Sequence, residues 1–382
     1  QPCNFRSMNI AIVSNFSKSI FSNGLTRILL YLHRVLQKTG FNVFFIDLSR
    51  ETKSKKIEKT NKTFLKDKQV IPMRNLNKRH RCDIILNPAM ALIESEKDFI
   101  ISKIQCKPKY VTIKYGNNTI SRMQKWFLTK EEVCGLEGPT KSDPFHDAAL
   151  LSPHFYYAHQ AEQVVNECST ETIPYLWSPE IFIKQSKLYG IDDLYYKKTK
   201  SRQIVIPEPN IEISKNFYIP ILALIHLLRT DASYFNEATI ANSMKIIENE
   251  GIKKFILYNL GLNKFPKKIF FDNRHVLCST LNKYNPLLLT HQLFCELNYV
   301  FLEALHFGYP LVHNSKMIQN HGYFYEDFQC IDAAEKIKEA FESHNDKLQQ
   351  YIDSSQEETW KYNPDNLEVQ QQYKLLIDNL TK

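Results

Sequence analysis

The feature that most constrains the fold is an alternation of buried strands and helices that begins at residue 9. The apolar run Asn9–Ser14 predicts a buried strand, and the amphipathic stretch Leu25–Lys38 predicts a helix that ends at Gly40. A second buried strand is predicted at Asn42–Leu48. Two strands joined through a helix form a βαβ unit, whose strands lie parallel in one sheet. The start of the chain therefore predicts an α/β fold.

The same alternation continues along the chain and starts again after a charged linker at residues 184–202. In the first series, further strands are predicted at 83–86, 110–114, 148–152 and 172–179, and a helix at 159–166. In the second series, strands are predicted at 203–206, 254–257, 276–278, 287–290 and 310–313, and helices at 217–228, 297–307, 333–343 and 367–380. We predict an α/β chain of two Rossmann-like domains that face each other across a cleft, with ligands at the carboxyl ends of the strands. The predicted domains are residues 8–184 and 200–356, followed by a C-terminal helix over 357–382 that can cross back to the N-terminal domain.

Length and charge indicate the class of partner. The chain has 382 residues, which suits two to three domains of ordinary size. Its formal net charge of +8 favours phosphate-bearing partners without reaching the pI above about 9 that is typical of nucleic-acid-binding domains. Nucleic acid is therefore not an expected partner, and a non-catalytic binder of phosphate ligands or nucleic acid is kept as a second class of hypothesis.

Cysteine use and hydropathy indicate the compartment. The eight cysteines are scattered without a CxxC pair, which favours thiols in a reducing compartment over disulfides or structural zinc. The longest apolar run, Tyr218–Leu228, is shorter than the ~20 residues needed to span a bilayer. We expect no transmembrane segment and a cytoplasmic location. The residues before Met8 are interpreted as an expression scar or as the cut end of a longer multidomain polypeptide.

Four groups of polar residues or glycines lie where the carboxyl ends of strands are predicted. The first group is Ser22, Asn23 and Gly24, between the first strand and the first helix. The chain has only 10 glycines, and a glycine at this position lets the backbone approach a ligand at a helix amino terminus, which favours negative charge. The alternative is a plain turn glycine at a helix start.

The second group surrounds Lys215, in the loop that opens the second series. A lysine beside a helix start can neutralise a phosphate, and Asn210 and Ser214 can donate hydrogen bonds to the same group. Lys215 is therefore a candidate both for ligand binding and for catalysis. The alternative is a solvated lysine in an exposed loop.

The third group lies on a predicted helix and consists of Glu296, Leu297, Asn298 and Tyr299, with Glu303 further along. Glu303 has apolar neighbours, and a carboxylate in such surroundings needs a fixed partner, for which vicinal ribose hydroxyls are suited. The alternative is a carboxylate on the solvent face of the helix.

The fourth group is His291 and Gln292, which follow a predicted strand, with Gly116 and Asn117 after a strand of the other domain. His291 and Gln292 are candidate catalytic residues, and a structural histidine is the alternative. The sequence contains no HExxH, P-loop, GxSxG or DxD motif, so nothing in it indicates a zinc hydrolase, a P-loop NTPase, a serine esterase or a metal site.

In their order along the chain, these segments resemble the GT-B glycosyltransferases, and more narrowly a little-characterised GT-B-like family of bacteria and large DNA viruses. The matching stretches are 22–25, 173–179, 208–210 with Lys215 and Pro220, 291–292, 297–299, 308–315 and 322–325. The resemblance implies that a sugar is transferred from a nucleotide-diphosphate donor bound to the C-terminal domain. It places the N-terminal domain on the acceptor side.

The resemblance also implies roles for single residues. Lys215 matches the basic residue that contacts the donor diphosphate, Glu303 matches the acid that holds the donor ribose, and Gly24 matches the glycine loop that closes over the phosphates. The sequence departs from the family pattern at Glu296, which precedes Glu303 by one residue fewer than is usual. Residues 297–299 replace the glycine-rich turn of that pattern.

The leading hypothesis is therefore a metal-independent hexosyl or pentosyl transferase that acts in glycan biosynthesis. It would move a sugar from a UDP or GDP sugar to a glycan or glycoprotein acceptor, with Gly116 and Asn117 on the acceptor side. Lys215 and helix amino termini would stabilise the leaving nucleoside diphosphate, so no metal or other cofactor is expected. A sugar-nucleotide epimerase of the same fold is the alternative enzyme. If the protein is viral, the expected location is the host cytoplasm.

Overall fold

The computed structural model describes residues 7–21, 24–49, 56–88, 92, 94–105, 107–128 and 146–381. Within these ranges the chain alternates strands and helices and forms two parallel sheets. The strands are β1 Asn9–Ser14, β2 Asn42–Asp47, β3 Val70–Pro72, β4 Ile84–Pro88, β5 Lys109–Lys114, β6 Ala148–Leu151, β7 Ser169–Thr172, β8 Gln203–Ile206, β9 Glu237–Ile240, β10 Ile269–Phe271, β11 Leu287–Leu289, β12 Leu311–His313 and β13 Tyr323–Phe324. The helices are α1 Gly24–Lys38, α2 Lys59–Leu65, α3 Glu94–Lys103, α4 Asn118–Leu128, α5 His159–Asn166, α6 Glu180–Leu188, α7 Tyr218–Thr230, α8 Met244–Ile247, α9 Glu250–Lys254, α10 Leu277–Tyr284, α11 Tyr299–His306, α12 Cys330–Trp360 and α13 Leu367–Leu380.

The first sheet has seven parallel strands in the order β3-β2-β1-β4-β5-β6-β7. Strand β1 is central, and its Ile10 pairs with Val43 on one side and with Ile84 on the other. Strands β1 and β4 are buried along almost their whole length, because a parallel sheet is covered on both faces. The strand order reverses between β1 and β4, and such a reversal marks the edge at which open α/β sheets bind ligands.

Helix α1 packs on this sheet through its apolar face and contacts β1 and β2. The C-terminal helix α13 in turn contacts α1. Arg34 of α1 forms an ion pair with Asp365, and Lys38 Nζ lies 2.6 Å from Asp365 Oδ1. Because Asp365 lies two residues before α13, these ion pairs fix the end of the chain to the helical layer of the first sheet.

The second sheet has six parallel strands in the order β10-β9-β8-β11-β12-β13. Its strand order reverses between β8 and β11. Helix α7 is apolar on most of its faces, because it is buried against both the sheet and helix α12. Its Ile221, Leu224 and Leu228 join Ile204 and Leu289 of the sheet in one hydrophobic core.

Helix α12, with 31 residues, is the longest helix in the described part of the chain, and its exposed face is strongly charged. Among the described residues, no helix combines the length and the apolar character that crossing a lipid bilayer requires.

The chain divides into two compact units. One unit runs to Ser178 and resumes at Lys361, so it includes the first sheet and helix α13. The other unit covers Pro179–Trp360 and contains the second sheet and α12. The division therefore lies at residues 178/179 and 360/361, whereas the sequence suggested 184 and 356. Helix α6 belongs to the second unit because it packs against α10.

The prediction of an α/β fold with two Rossmann-like parallel sheets is confirmed. Strands β1, β8, β11 and β12 and helices α1, α5, α7 and α13 lie close to their predicted positions. Three predicted strands are wrong, at residues 172–179, 254–257 and 276–278. The latter two are short apolar runs that lie in or at the start of helical segments, and periodicity cannot distinguish such runs from buried strands. In the segment 172–179, strand β7 ends at Thr172 and the following prolines interrupt strand pairing.

Candidate functional site

The candidate site lies at the carboxyl ends of β8, β11 and β12, which are neighbours in the second sheet. The segments that follow these strands begin at Pro207, Thr290 and Asn314. The reversal of strand order between β8 and β11 separates the first two segments, which is the geometry of a ligand crevice in open α/β sheets. Most of the residues singled out in the sequence lie on these segments.

Glu208 is the centre of the site. Its side chain is 2% exposed, and its Oε1 accepts a hydrogen bond from the backbone N–H of His291 at 3.0 Å. Its Oε2 accepts a hydrogen bond from Gln292 Nε2 at 2.6 Å. Burial raises the pKa of Glu208 to about 7, although these two hydrogen bonds and the charge of Lys215 act in the opposite direction. Glu208 thus joins the loop after β8 to the loop after β11.

Lys215 lies against the same pair of loops. Its backbone forms an isolated antiparallel bridge with Gln292, and the neighbouring Ser214 carbonyl accepts a hydrogen bond from Leu293 N at 2.8 Å. Burial is the largest single influence on the Lys215 pKa and lowers it. Interactions with the Cys295 thiol and with the carboxylates of Glu212 and Glu208 outweigh burial, so the pKa of Lys215 is raised. Lys215 therefore stays a cation inside the site.

Asn210 shapes the loop that carries Lys215. Its backbone is in the left-handed region, with φ of 53°. Its Nδ2 donates to the carbonyls of Glu208 at 3.0 Å and Ala241 at 2.8 Å, and its Oδ1 accepts from Phe217 N at 2.8 Å. Both amide protons of Asn210 are therefore used within the protein.

Ser214 is likewise hydrogen-bonded within the loop. It is buried, and its Oγ donates to Glu212 Oε1 at 2.7 Å. The two polar residues that the sequence grouped with Lys215 therefore lie near it, and both have partners inside the loop.

His291 is 2% exposed and has two different ring nitrogens. Its Nδ1 lies 3.0 Å from Tyr325 Oη, while its Nε2 has no hydrogen-bond partner among the described residues. The ring stacks with that of Tyr325 and is tilted against Phe328, with centroids 6.1 Å and 5.2 Å apart. Burial lowers the pKa of His291 to about 4, so the ring is neutral near pH 7.

Gln292 is fixed from two sides. Its backbone exchanges two hydrogen bonds with the Asn314 side chain, at 2.9 Å to Asn314 Oδ1 and 2.8 Å from Asn314 Nδ2. Its side-chain Nε2 donates to Glu208, and its buried Oε1 has no partner among the described residues. The segments after β8, β11 and β12 thus each contribute one residue to this hydrogen-bond network, namely Glu208, Gln292 and Asn314.

The acidic residue Glu296 holds the next loop. Its backbone carbonyl accepts a hydrogen bond from Ser315 Oγ at 2.7 Å, and its Oε2 accepts one from Met317 N at 3.1 Å. Burial raises the pKa of Glu296, with the hydrogen bond from Met317 N and the charge of Lys316 acting against it. Glu296 is therefore half-buried and tied to the segment after β12.

Helix α11 begins beside this loop. Asn298 caps it, since its Oδ1 accepts from Phe301 N at 3.0 Å, and its Nδ2 is buried without a partner among the described residues. Leu297 is buried before the cap, and Tyr299 is the first helical residue. Glu303 is 2% exposed, so the alternative of a solvent-facing carboxylate is wrong.

The remaining candidates belong to the first unit. Ser22 and Asn23 lie outside the described residues. Gly24 is the exposed first residue of α1. A Cβ at Gly116 would meet nothing closer than 3.6 Å, so no steric requirement for glycine exists there.

Asn117 lies at the start of α4 and acts as its cap. Its Oδ1 accepts a hydrogen bond from Ile120 N at 3.1 Å, and its Nδ2 donates to Tyr157 Oη at 2.6 Å. Its side chain therefore has a structural role in the first unit, at the carboxyl end of β5.

Sequence reasoning did not place three residues of this site. Glu208, Tyr325 and Asn314 all lie in stretches of the family resemblance, and none of them was predicted as a site residue. Glu208 and Gln292 are 84 residues apart in sequence, so no local pattern links them. The signal available in the sequence was an acidic residue directly after an apolar strand in the same loop as Lys215.

The sequence matches a known protein family over most of its length. Residues 9–377 match the family described as "Protein of unknown function (DUF2827)". Because the match covers nearly the whole sequence, the chain belongs to this family. No curated protein matches the sequence.

Solved structures show the fold to which the chain is similar. A glycosyltransferase from Rickettsia africae has 15% identity and a TM-score of 0.56, over 99% of this chain and 100% of that one. HepE from Anabaena, in complex with UDP-glucose, has 12% identity and a TM-score of 0.53, over 97% and 100%. The E. coli trehalose-6-phosphate structure with bound UDP-2-fluoro glucose has 12% identity and a TM-score of 0.57, over 98% and 99%. At these identities the likeness concerns the fold, and it confirms the GT-B architecture.

Proposed function

We propose that the protein is a glycosyltransferase that moves a sugar from a nucleotide-diphosphate sugar to a glycan or glycoprotein acceptor. The observation that carries this proposal is the group of Glu208, Lys215, His291 and Gln292 at the edge where the strand order of the second sheet reverses. A cation held at this edge suits a ligand with phosphate groups. HepE and the E. coli structure hold UDP sugars, which makes a UDP sugar the first donor to test and a GDP sugar the second.

Lys215 is assigned to the diphosphate of the donor. Helix α7 begins shortly after it, at Tyr218, and the amino terminus of that helix adds positive potential. As the sugar is transferred, negative charge develops on the leaving nucleoside diphosphate. A preorganised cation and helix terminus stabilise that charge without reorganisation during the reaction.

The loop before α11 and the helix itself are assigned to the rest of the donor. The buried carboxylate of Glu303 is assigned to the ribose hydroxyls, and Glu296, Asn298 and Tyr299 to the groups near the start of the helix. In the first unit, Gly24 is assigned to the phosphates. Gly116 and Asn117 are assigned to the acceptor side.

The proposal is tested by a thermal-shift panel of UDP, GDP, dTDP and CMP sugars with the whole chain. At a ligand concentration 100 times the Kd, the cognate donor is expected to stabilise the protein by about 2.7 kcal/mol. Incubation of the protein with that donor alone then separates the enzyme classes. Slow hydrolysis supports a transferase, whereas formation of an epimer supports an epimerase. If no nucleotide sugar shifts the unfolding temperature, the proposal is wrong.

Metal independence is a separate part of the proposal. Among the described residues, no three His, Cys, Asp or Glu side chains are grouped closely enough to hold an ion, and Lys215 already supplies positive charge. We therefore expect donor hydrolysis to continue in excess EDTA. Loss of turnover with EDTA and its recovery with Mn²⁺ would instead assign the diphosphate to a metal held by carboxylates such as Glu208 and Glu212.

A further inference from the structure

Two side-chain atoms at the end of β11 are buried and have no partner among the described residues, namely His291 Nε2 and Gln292 Oε1. A buried polar atom without a hydrogen bond is unfavourable, because it has lost its contact with water and gained none in exchange, so native proteins seldom keep one without a reason. Here two such atoms lie on adjacent residues. What a ligand can do with them depends on whether each atom donates or accepts a hydrogen bond.

The tyrosine behind His291 determines the polarity of the imidazole. The hydroxyl of Tyr325 donates to the carbonyl of Thr290 at 2.7 Å, and a carbonyl oxygen can only accept. Since Tyr325 has one hydroxyl proton, its oxygen must accept the second hydrogen bond, which comes from His291 Nδ1 at 3.0 Å. The proton of the neutral ring is therefore on Nδ1, and Nε2 presents a lone pair.

Glu208 determines the polarity of the Gln292 amide in the same way. The ionised carboxylate of Glu208 has no proton to donate, so the amide must direct Nε2–H toward it, at 2.6 Å. The Oε1 of Gln292 then faces away from Glu208 as an acceptor. The backbone of Gln292 cannot turn to change this, because Asn314 holds it with two hydrogen bonds.

We propose that Glu208 and Tyr325 are positioning residues that fix His291 Nε2 and Gln292 Oε1 as a pair of hydrogen-bond acceptors, which select ligand hydroxyl groups. The inference rests on the proposed function and refines it, since it assigns His291 and Gln292 to hydroxyls of the donor sugar and leaves the phosphates to Lys215. A phosphate oxygen at the same position would meet two lone pairs and be repelled.

An exposed aromatic side chain packs against His291. The Phe328 ring lies over the imidazole with centroids 5.2 Å apart, and Phe328 is 55% exposed. Exposed side chains change rotamer quickly, so the ring can turn aside without disturbing the core. A sugar hydroxyl can then reach the imidazole from the solvent side.

The first arm of the test needs no nucleotide sugar and is the ¹⁵N–¹H spectrum of the histidine rings at pH 8, where Glu208 is ionised. His291, assigned by its loss in His291→Gln, is expected to carry its proton on Nδ1. In Tyr325→Phe the proton should redistribute toward Nε2. Tyr351→Phe is the matched control, because this partly buried tyrosine also donates its hydroxyl proton to a carbonyl, of Tyr309 at 3.0 Å, and its other hydrogen bond is accepted from Leu311 N. Protonation of Nε2 in the unmodified protein would overturn the proposal.

The second arm measures the Kd of UDP, UDP-glucose and the four UDP-glucose analogues in which one sugar hydroxyl is replaced by fluorine, which cannot donate. At one or two positions fluorine should weaken binding by up to about tenfold. In Glu208→Gln, the new amide must donate to Gln292 Oε1, so the Gln292 amide turns. The penalty at the hydroxyl bound by Gln292 should then vanish, whereas that at the hydroxyl bound by His291 should remain, and UDP reports any change in phosphate binding. Equal binding of all analogues to the unmodified protein would overturn the proposal. If UDP-glucose itself does not bind, the UDP form of the proposed function fails, and the ring spectrum alone decides the polarity.

Discussion

Two glutamates that are both only 2% exposed, Glu162 in the first unit and Glu208 in the second, are held in opposite ways. Glu162, in the first unit, accepts hydrogen bonds from Arg122 at 2.7 Å and from Thr119 at 2.8 Å. Among the described residues, Glu208, in the second unit, accepts only a backbone N–H and an amide N–H at hydrogen-bond distance. The pKa of Glu162 is lowered because these interactions outweigh its burial, whereas burial raises the pKa of Glu208 to about 7.

The difference indicates which buried carboxylate is structural. Glu162 is part of a satisfied ion pair that joins α4 to α5 within the first unit. Among the described residues, both carboxylates contact a residue with an unpartnered buried atom, Asn166 beside Glu162 and Gln292 beside Glu208. Glu208 differs in that it has no side-chain cation at hydrogen-bond distance among these residues and lies at the edge where the strand order reverses. Burial alone therefore does not identify a functional carboxylate. A buried carboxylate without an ion-pair partner at a strand-order reversal is the stronger indication.

The largest expected effect tests the structural side of this comparison. Arg122→Ala would leave Glu162 buried without its cation, which should destabilise the protein by about 3–5 kcal/mol in urea unfolding. Lys197→Ala is the matched control, since its ion pair with Asp193, at 3.5 Å, is exposed. That control should cost less than about 1 kcal/mol. Equal losses in the two variants would contradict a structural role for the Glu162 pair.

The next prediction concerns pH. An acid whose folded pKa is about 7 and whose ordinary value is 4.5 binds protons more tightly in the folded state, so its contribution to stability is present below pH 4.5 and is lost as the pH rises to 7. Glu208→Gln removes this loss, so it should stabilise the protein relative to the original chain by up to roughly 3 kcal/mol above pH 7. Below pH 4.5 the two chains should be nearly equal.

The same titration separates the two glutamates. Because the pKa of Glu162 is lowered in the folded protein, this carboxylate contributes to stability at pH values above its ordinary pKa. That contribution to stability is lost as the pH falls through the folded pKa. Glu162→Gln should therefore alter unfolding at acid pH, and it should leave the slope of stability against pH unchanged near neutral pH. A stability difference between the original chain and Glu208→Gln that does not vary from pH 4.5 to 7 would contradict the assignment for Glu208.

The fold and the site differ in how far the sequence could predict them. Strands such as Asn9–Ser14 and Gln203–Ile206 were predicted correctly, because a buried strand in a parallel sheet is a local apolar run. The run at 254–257 misled the same reasoning, because it lies in the helical segment that starts at Glu250. Local patterns thus determined the fold class without determining every element.

The site depends on contacts that no local pattern contains. Lys215, His291 and Gln292 could be proposed from their positions after strands, but the residues that orient them could not. Glu208 is 83 residues from His291, and Tyr325 is 34 residues from it. The polarity of the imidazole follows from a chain of three hydrogen-bonding groups that only the folded sheet brings together.

A third prediction tests the cation of the second unit. Lys215→Ala should weaken binding of the cognate nucleotide sugar by roughly tenfold to a hundredfold, because a charge-assisted hydrogen bond is worth about 1.5–3 kcal/mol. Calorimetric Kd values and the unfolding temperature together separate binding from folding. Lys254→Ala, which alters an exposed lysine of the same unit, should leave the Kd unchanged. An unchanged Kd in Lys215→Ala would contradict the assignment of the donor diphosphate to this edge of the sheet.

The smallest expected effect concerns another buried carboxylate of the second unit, Glu303 on α11. If it holds the donor ribose, Glu303→Gln keeps the side-chain shape but weakens a charge-assisted hydrogen bond to a hydroxyl, so UDP-glucose should bind about fivefold to tenfold more weakly. Pyrophosphate has no ribose and should bind the variant as it binds the original chain. The ratio of the two changes is the measurement that matters, because a loss of helix stability would weaken both ligands alike. Equal weakening would therefore make Glu303 a structural glutamate like Glu162, and only Glu208 would then remain as a buried carboxylate of the site.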